Sequence, residues 1–255
     1  MRFLPPTRKG VAILAAVLTL SVSLPVSAQE KSPDDWQYAF ELYGWLPQMR
    51  IKPDAGGTIT FKLKDILKNL DMMFMGDIEM RKGDWSLGLD TIYMNLGNKQ
   101  TLTSVVLPSQ ELEAGIDMRA VISTLTAGHT IARTDRSRLD IVGGARYLYV
   151  NVGLDFDLQA TPGDKRAHLG GQNWDFLLGL EGKTLINDQW YFDYYADIGT
   201  GDSNLTWQGK VGGGYEFNKW AATFGFRYLR YNFTSKSNLD NLSVIGPYVG
   251  AKWTW

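Results

Sequence analysis

The segment from Leu242 to Trp255 alternates between two kinds of side chain. One parity is mostly apolar, with Ile245 and Val249 among its members, and the other carries glycine, Lys252 and Thr254. A period of two puts successive side chains on opposite faces of a β-strand, so the segment predicts a strand with one apolar face. It closes on an aromatic residue, which we expect where a closing strand meets a membrane interface.

The first 28 residues have the layout of a secretory signal peptide. A basic start is followed by an apolar run over 11–20 and by small residues at 26–28. The alternative, a transmembrane helix, needs about 20 apolar residues, and this run is shorter. We therefore expect cleavage after Ala28 and export, which leaves 29–255 as a single domain. No later segment is apolar for long enough to cross a membrane as a helix, so any crossing must use strands.

Nine further segments alternate in the same way, so that ten strands are predicted in all. They cover 36–46, 72–82, 85–96, 116–131, 139–156, 173–186, 190–200, 205–217, 220–232 and 242–255. Long connections at 47–71, 97–115, 157–172 and 233–241, and a shorter one at 201–204, alternate with tight turns at 83–84, 134–138, 187–189 and 218–219. This alternation predicts an all-β fold, a closed antiparallel transmembrane β-barrel of about ten strands with short periplasmic turns and longer external loops.

Charged residues recur on one parity of these strands, opposite the large apolar residues. A soluble β-sandwich would bury them in a dry core at high cost, whereas a barrel lumen lets them pair or meet water. The predicted lumen network comprises Glu41, Asp77, Glu79, Arg81, Asp90, Arg146, Asp175, Glu181, Lys183, Asp193, Asp197, Lys210, Glu216 and Arg227. Asp193 and Asp197 share a strand face, and we expect Lys183, Lys210 or Arg227 as their partners. Ten strands enclose a bore far narrower than a porin, so the lumen should be plugged or very narrow.

The nine tryptophans provide a second pattern. Indole rings favour the boundary between membrane and water, so tryptophans at strand ends predict two girdles. The periplasmic girdle comprises Trp36, Trp85, Trp190, Trp220, Trp253 and Trp255, and the opposite girdle comprises Trp45, Trp174 and Trp207. A soluble core rich in tryptophan would not explain their position at strand ends.

The connection 47–71 carries a helical pattern. Ile66, Leu67 and Leu70 would share one face of a short helix over 65–71, with Asp65 at its start. Seven residues are marginal as an isolated helix, so the segment needs a surface on which to dock. It either caps or plugs the external mouth or is an ordinary helical turn in a loop. Glycines at 56–57 also allow a hairpin over 48–63, and twelve strands are then the alternative description.

The residues offer little for catalysis. The chain has no cysteine, which excludes a disulfide, a thiol nucleophile and a thiolate metal site. Outer-membrane hydrolases need a histidine for proton transfer. The chain has two, His129 low on a predicted strand and His168 in a predicted loop. We predict no catalytic residues, no cofactor and no metal site.

Six short motifs resemble a proteobacterial family of small, mostly uncharacterised outer-membrane β-barrel proteins. They are Leu42–Pro47, Gly143–Tyr147, Asp197–Gly199, Leu205–Gln208, Gly225–Leu229 and Gly246–Gly250. The resemblance implies a barrel in the outer membrane and implies no activity. The aromatic end at Trp255 also resembles the signal that barrel-assembly machinery reads in such proteins.

Two classes of function remain open. The first is a narrow or plugged barrel that passes a small solute, and the second is a structural or surface-interaction barrel without transport, such as an adhesin. The expected partners are the lipid bilayer, lipopolysaccharide and, during insertion, the barrel-assembly machinery. A net charge of −1 argues against a nucleic-acid partner. We expect a monomer in the outer membrane of a Gram-negative bacterium.

Overall fold

The structure, a computed structural model, describes residues 35–54, 57–97, 103–106, 111–156, 165–234 and 239–255. The predicted signal peptide over 1–28 lies outside these residues. The strands are β1 Gln37–Trp45, β2 Gln48–Pro53, β3 Thr58–Phe61, β4 Leu70–Lys82, β5 Trp85–Leu96, β6 Thr103–Val106, β7 Glu111–Arg133, β8 Ser137–Phe156, β9 Lys165–Leu185, β10 Trp190–Gly201, β11 Ser203–Glu216, β12 Trp220–Phe233 and β13 Leu239–Thr254. A helix, α1, covers Leu63–Asn69. In the described ranges no helix has the length and apolar character to cross a membrane.

Ten of these strands close into a ring. In the order β1, β4, β5 and β7 to β13, each strand pairs antiparallel with the next, and β13 pairs with β1. The closing ladder runs from Ala39 opposite Thr254 to Trp45 opposite Tyr248. A closed ring gives every strand a neighbour on both sides, as strands that cross a membrane require. The predicted closed antiparallel barrel of ten strands is confirmed.

The predicted loop 47–71 contains most of the remaining structure. β2 continues the line of β1 along β13 after Leu46 and Pro47, so β1 and β2 act as one long strand. β3 and β6 are two additional strands that join β2 to β7. The hairpin anticipated over 48–63 forms as β2 with β3. Only β3 of that hairpin adds to the ten strands, because β2 continues β1, and the second additional strand, β6, lies in the predicted loop 97–115.

Several strands are longer than the sequence pattern predicts. β7, β8 and β9 contain 23, 20 and 21 residues, so the predicted loops 97–115 and 157–172 are too long. β8 and β9 pair without a register shift from Phe156 opposite Lys165 to Ser137 opposite Thr184. Glycines at 170 and 171 interrupt the apolar alternation of β9, and pairing with β8 decides its conformation instead.

The connections at the opposite end are tight, as predicted. Gly83 joins β4 to β5 with φ of 59°, in the left-handed region that glycine adopts without a steric cost. Before β10, the Asn187 side-chain oxygen accepts hydrogen bonds from the N–H groups of Gln189 and Trp190. Such side-chain bonds to the local backbone stabilise short turns.

The polarity of the two sheet faces inverts along the barrel. We call the end of the barrel with the tight turns its lower end. In the lower part of β12, Phe224 and Phe226 are exposed while Thr223 and Arg227 are buried. In its upper part the buried residues are apolar. They are Leu229, Tyr231 and Phe233, and they alternate with the outward Arg230 and Asn232. An apolar exterior suits a bilayer, and a polar exterior around an apolar interior suits water. The barrel therefore combines a membrane-type lower part with an upper part built like a soluble barrel.

The exposed apolar belt generates a stability prediction. Phe226 lies about midway between Trp220 at the lower rim and Arg230 at the upper one, and its ring is exposed. Phe226→Arg should reduce the free energy of unfolding by about 2–4 kcal/mol, because the charge would face the hydrocarbon midplane. Phe217→Arg, beside a tight turn, should cost only about 0–1 kcal/mol. Urea titration in phospholipid vesicles measures the free energy of unfolding of both variants. Equal losses of stability would contradict the assignment of the apolar belt to the hydrocarbon core.

Candidate functional site

The candidate site is the lumen, which holds two layers of inward side chains. In the lower layer, charged and hydroxyl groups from many strands bond to one another across the bore. In the upper layer, a continuous apolar cluster occupies the space. The predicted lumen residues all lie on the inward parity of their strands.

A first charged cluster lies near the tight turns. Arg81 Nη2 is 2.6 Å from Asp140 Oδ2 and 3.2 Å from Glu79 Oε1. Arg138 Nε is 3.0 Å from the same Asp140 oxygen, and Lys252 Nζ is 3.4 Å from Glu79 Oε2. Because Arg81 belongs to β4 and Asp140 to β8, this bond crosses the lumen instead of following one pair of strands.

A second cluster lies higher in the lumen and centres on Arg227. Its Nη2 is 3.0 Å from Asp90 Oδ1 and donates to Gln208 Oε1 at 2.8 Å, while Nη1 donates to the Tyr43 hydroxyl at 2.7 Å. The Tyr43 hydroxyl in turn donates to Asp90 Oδ2 at 2.7 Å. β12, β11, β5 and β1 each contribute one member, so the cluster ties opposite walls together. Arg227 is 2% exposed, and its charge is fully engaged by neighbours.

A third cluster lies around Arg146, whose side chain has no solvent exposure. Arg146 forms a salt bridge with Asp197, donates to Thr124 Oγ1 at 3.1 Å and donates to Thr206 Oγ1 at 3.3 Å. Asp197 was expected to meet Lys183, Lys210 or Arg227, and that expectation is wrong. The register places Asp197 opposite Gln208 on one side and Gly179 on the other, neither of which is charged, and Arg146 on β8 forms the bridge.

The other predicted lumen residues make local or rim contacts. Glu41 accepts a bond of 2.6 Å from Thr223, and Asp175 accepts bonds from the Ser203 N–H and hydroxyl, each at 2.9 Å. Two lysines contact neighbouring side chains: Lys183 Nζ is 2.7 Å from Glu216 Oε1, and Lys210 Nζ is 5.9 Å from the centre of the Tyr248 ring. The other three members are acids whose ladder partners are charged: Asp77 is opposite Asp90, Glu181 is opposite Asp140, and Asp193 is opposite Lys183. Asp193 Oδ1 and Asp197 Oδ1 are buried without a hydrogen-bond partner.

An apolar cluster lies in the lumen above these charges. Its buried members come from strands around the ring and include Met75, Ile92, Met118, Leu148, Val150, Leu229, Tyr231 and Val244. β2 and β3 contribute Met49, Ile51, Ile59 and Phe61. A hydrated solute that travelled along the axis would have to disrupt both this cluster and the ion pairs below it.

The predicted tryptophan positions divide into two groups. The six tryptophans of the lower rim, together with Trp174 and Trp207, are exposed on the outer face. Trp45 is the exception and a correction, because it is 2% exposed and faces the lumen. Its Nε1 donates to the Gly246 carbonyl at 3.1 Å, and the Arg227 guanidinium lies 5.2 Å from its ring. Strand parity decides this, since Trp45 shares the inward face of Glu41 and Tyr43.

The helix predicted over 65–71 forms over Leu63–Asn69, with Lys62 at its N-cap and no capping side chain. Ile66 is buried in the apolar cluster and Leu70 packs against it, whereas Leu67 is exposed. Leu67 therefore does not share the face predicted for all three residues. Leu67 lies about 100° further round the helix than Ile66, and Leu70 lies beyond the helix as the first, extended residue of β4.

Sequence reasoning missed two kinds of lumen residue. Asp140 and Arg138 share the parity of Arg146 on β8, so the alternation could have identified them. The apolar upper layer was not anticipated, because the large apolar residues of every strand were expected to face lipid. The outward Asn151, Arg230 and Asn232 were the available signal, since they mark where the exterior becomes polar.

The described residues contain no group of three or more metal-ligating side chains. His129 lies opposite Trp85 in the ladder, and the two rings are 4.6 Å apart. His168 lies in β9 and not in a loop, because that strand begins at Lys165.

Comparisons with known proteins agree with the fold. No family model matches the chain. No curated protein matches it. Among solved structures, the chain is similar to the outer membrane protease OmpT from Escherichia coli, at 13% identity over 90% of this chain and 100% of that chain, with a TM-score of 0.54. It is also similar to the translocator domain of the autotransporter NalP from Neisseria meningitidis (12% identity, 86% and 88% covered, TM-score 0.45) and to Ail of Yersinia pestis (12% identity, 87% and 99% covered, TM-score 0.36). The chain has the fold of outer-membrane β-barrels.

The Arg227 cluster generates a second prediction. Arg227→Met should reduce the free energy of unfolding by about 3–5 kcal/mol, because it leaves Asp90 buried without its cation. The double variant Arg227→Met with Asp90→Leu should recover most of that loss. Lys183→Met is the matched control, since the Lys183–Glu216 pair is over one third exposed and should contribute at most about 1 kcal/mol. A double-mutant cycle from urea titrations measures the coupling, and additive losses would contradict it.

Proposed function

We propose that this protein is an outer-membrane barrel whose axis is closed to hydrated solutes, so that it acts through its outer surfaces and not as a general pore. The observation that carries the proposal is the pair of stacked barriers in the lumen. Arg81 with Asp140 and Arg227 with Asp90 cross the bore below, and the apolar cluster fills it above. The narrow or plugged form of the predicted barrel is the one that this geometry favours.

The chemistry of the two barriers makes them complementary. An ion that could exchange partners with the lower network would still have to leave water to cross the apolar layer, where an unpaired charge is costly. An apolar molecule that could dissolve in the upper layer would have to separate the buried ion pairs below. Neither kind of solute finds a continuous favourable path along the axis.

The upper part of the barrel supports a second candidate, a surface-interaction role. β7, β8 and β9 are the longest strands, and their upper ends carry the outward polar residues Asp117, Arg119 and Asn151. A wall of this kind, with an apolar core behind it, offers a rigid surface in water to partners outside the cell.

The outer face also supports lipopolysaccharide as a partner. Arg50 on β2 and Arg230 on β12 stand on either side of Ser243 in one register row. Ile245, directly below that row on β13, is exposed and apolar. Cations immediately above an apolar belt suit the phosphate groups of a lipid surface.

A closed axis predicts negligible conductance. The folded protein in a planar bilayer should give no ion current above the bare membrane, and liposomes that contain it should not swell in isosmotic sugars or amino acids. A general porin, reconstituted in parallel, controls for insertion. Stable channels of porin-like conductance would overturn the proposal.

The proposed topology is tested on intact cells. An epitope inserted between Phe156 and Lys165 should bind antibody without permeabilisation, because the long connections are expected outside. The same epitope at Asp188, in a tight turn, should bind only after the outer membrane is opened. The two insertions control for each other. If only the epitope at Asp188 bound antibody on intact cells, the orientation of the barrel in the membrane would be the opposite of the proposed one.

A further inference from the structure

The wall of the barrel contains a gap that the closed ladder does not explain. β1 pairs with β4 only as far as Leu42 opposite Gly76. β4 nevertheless continues through 72–75, paired with β5 alone, and β1 continues through 43–45, paired with β13 alone. The ladder resumes higher up, where Met49 on β2 pairs with Phe61 on β3. We call the interval between 43–45 and 72–75 the seam.

The backbone at the seam lacks the usual partner. The Trp45 N–H, which would meet a β4 carbonyl in a continued ladder, instead contacts the Met75 sulfur at 3.1 Å. A thioether is a weak acceptor. Strand edges left unpaired at membrane depth are costly and occur only where something covers them. A seam in an otherwise closed ring is therefore a position where the two strands separate most easily.

We infer that the helix α1 covers the seam, because it connects the lower end of β3 to the upper end of β4, one of the two strands that border the seam. Ile66 reaches inward to the cluster that contains Trp45 and Met75, while Leu67 is half exposed on the other side. Seven residues without a capping side chain make a marginal helix, so Ile66 and Leu70 supply much of what holds it in place.

The inner side of the seam is apolar and rich in methionine. Met75 and Met73 on β4 lie opposite Ile92 and Met94 on β5, and Met49 lies on β2 above. Methionine side chains are flexible and polarizable, so a cluster of them can rearrange around an inserted molecule at little cost. The outer side lies within the exposed apolar belt, since Leu42, Met72 and Phe74 are exposed there.

We propose that the upper lumen is a binding site for a small, uncharged apolar molecule, which enters sideways from the bilayer through the seam when α1 lifts. The apolar belt outside and the apolar cluster inside give such a molecule a continuous path that avoids water. A charged amphiphile fits poorly, because Arg227 and Asp90 at the inner end already neutralise each other. The inference rests on the proposed membrane location, and it does not depend on the conductance of the axis.

The test uses a small apolar photoreactive probe, an iodophenyl trifluoromethyl diazirine, dissolved in vesicles that contain the folded protein. Its carbene inserts into whatever side chains it touches, and mass spectrometry of peptides locates the label. We expect label at the exposed Phe74 and also, several-fold above Leu148, at the buried Met75 and Trp45. Leu148 belongs to the same cluster, is equally buried and lies on β8, away from the seam.

A matched pair of glycine variants separates lateral entry from general penetration. A Cβ at Gly44, on the outer face of the seam, or at Gly209, on β11, would meet no atom within 4 Å. Gly44→Phe should obstruct the seam and reduce labelling of Met75 several-fold, and Gly209→Phe should leave it unchanged. Both variants must retain the folded, heat-shifted band on a gel.

Three outcomes would overturn the proposal. Met75 could be labelled no more than Leu148, labelling could persist in Gly44→Phe, or Gly209→Phe could reduce it equally. Ile66→Ala, which loosens α1, should increase labelling of Met75, while Leu67→Ala at the exposed position should not. Ion conductance by the same preparation would contradict the closed axis without affecting this result, so the two proposals fail independently.

Discussion

The ladder between β13 and β1 is the interaction on which the rest of this structure depends. Without it, two long strands would each present a row of unpaired N–H and C=O groups to hydrocarbon. Closing the ring removes both edges and also creates the lumen. Once ten strands close, their side chains must share a narrow bore, and this explains why Arg81 and Arg227 find carboxylates on other strands across it.

The outer face of the ring is apolar in its lower part and polar in its upper part, and the inner face changes in the opposite sense. At the level of Phe226 the exterior is apolar and Arg227 points inward to Asp90. A few residues further along the same strand, Arg230 points outward and Tyr231 is buried. The backbone geometry is continuous, so the inversion is due to sequence alone. It places an ion-paired layer and an apolar layer in series, which is the physical basis for the proposal of a closed axis.

The closed barrel could be predicted from sequence because period-two alternation and turn residues such as Gly83 and Asn187 are local signals. The inward parity of Arg146 and Arg227 followed from the same alternation. Their partners did not, because a bond such as Arg81 to Asp140 depends on which strands face each other across the bore. Trp45 was misplaced since position near a strand end suggested a girdle, whereas its parity put it inside. β9 extends past glycines that hide its pattern, so pairing with β8 decides its length.

At the seam, backbone pairing between β1 and β4 gives way to side-chain packing in the lumen. A continued β1–β4 ladder would pair the Trp45 N–H with a carbonyl, but this N–H contacts the Met75 sulfur instead. The chain forms the helix α1 directly before β4. In a barrel that needed only closure, this arrangement would lose backbone hydrogen bonds and gain no stability or function in exchange. Met49, Met73, Met75 and Met94 gather at the seam. A break in the ladder, a marginal helix over it and adaptable side chains behind it are three separate features, and lateral access to the upper lumen accounts for all of them together.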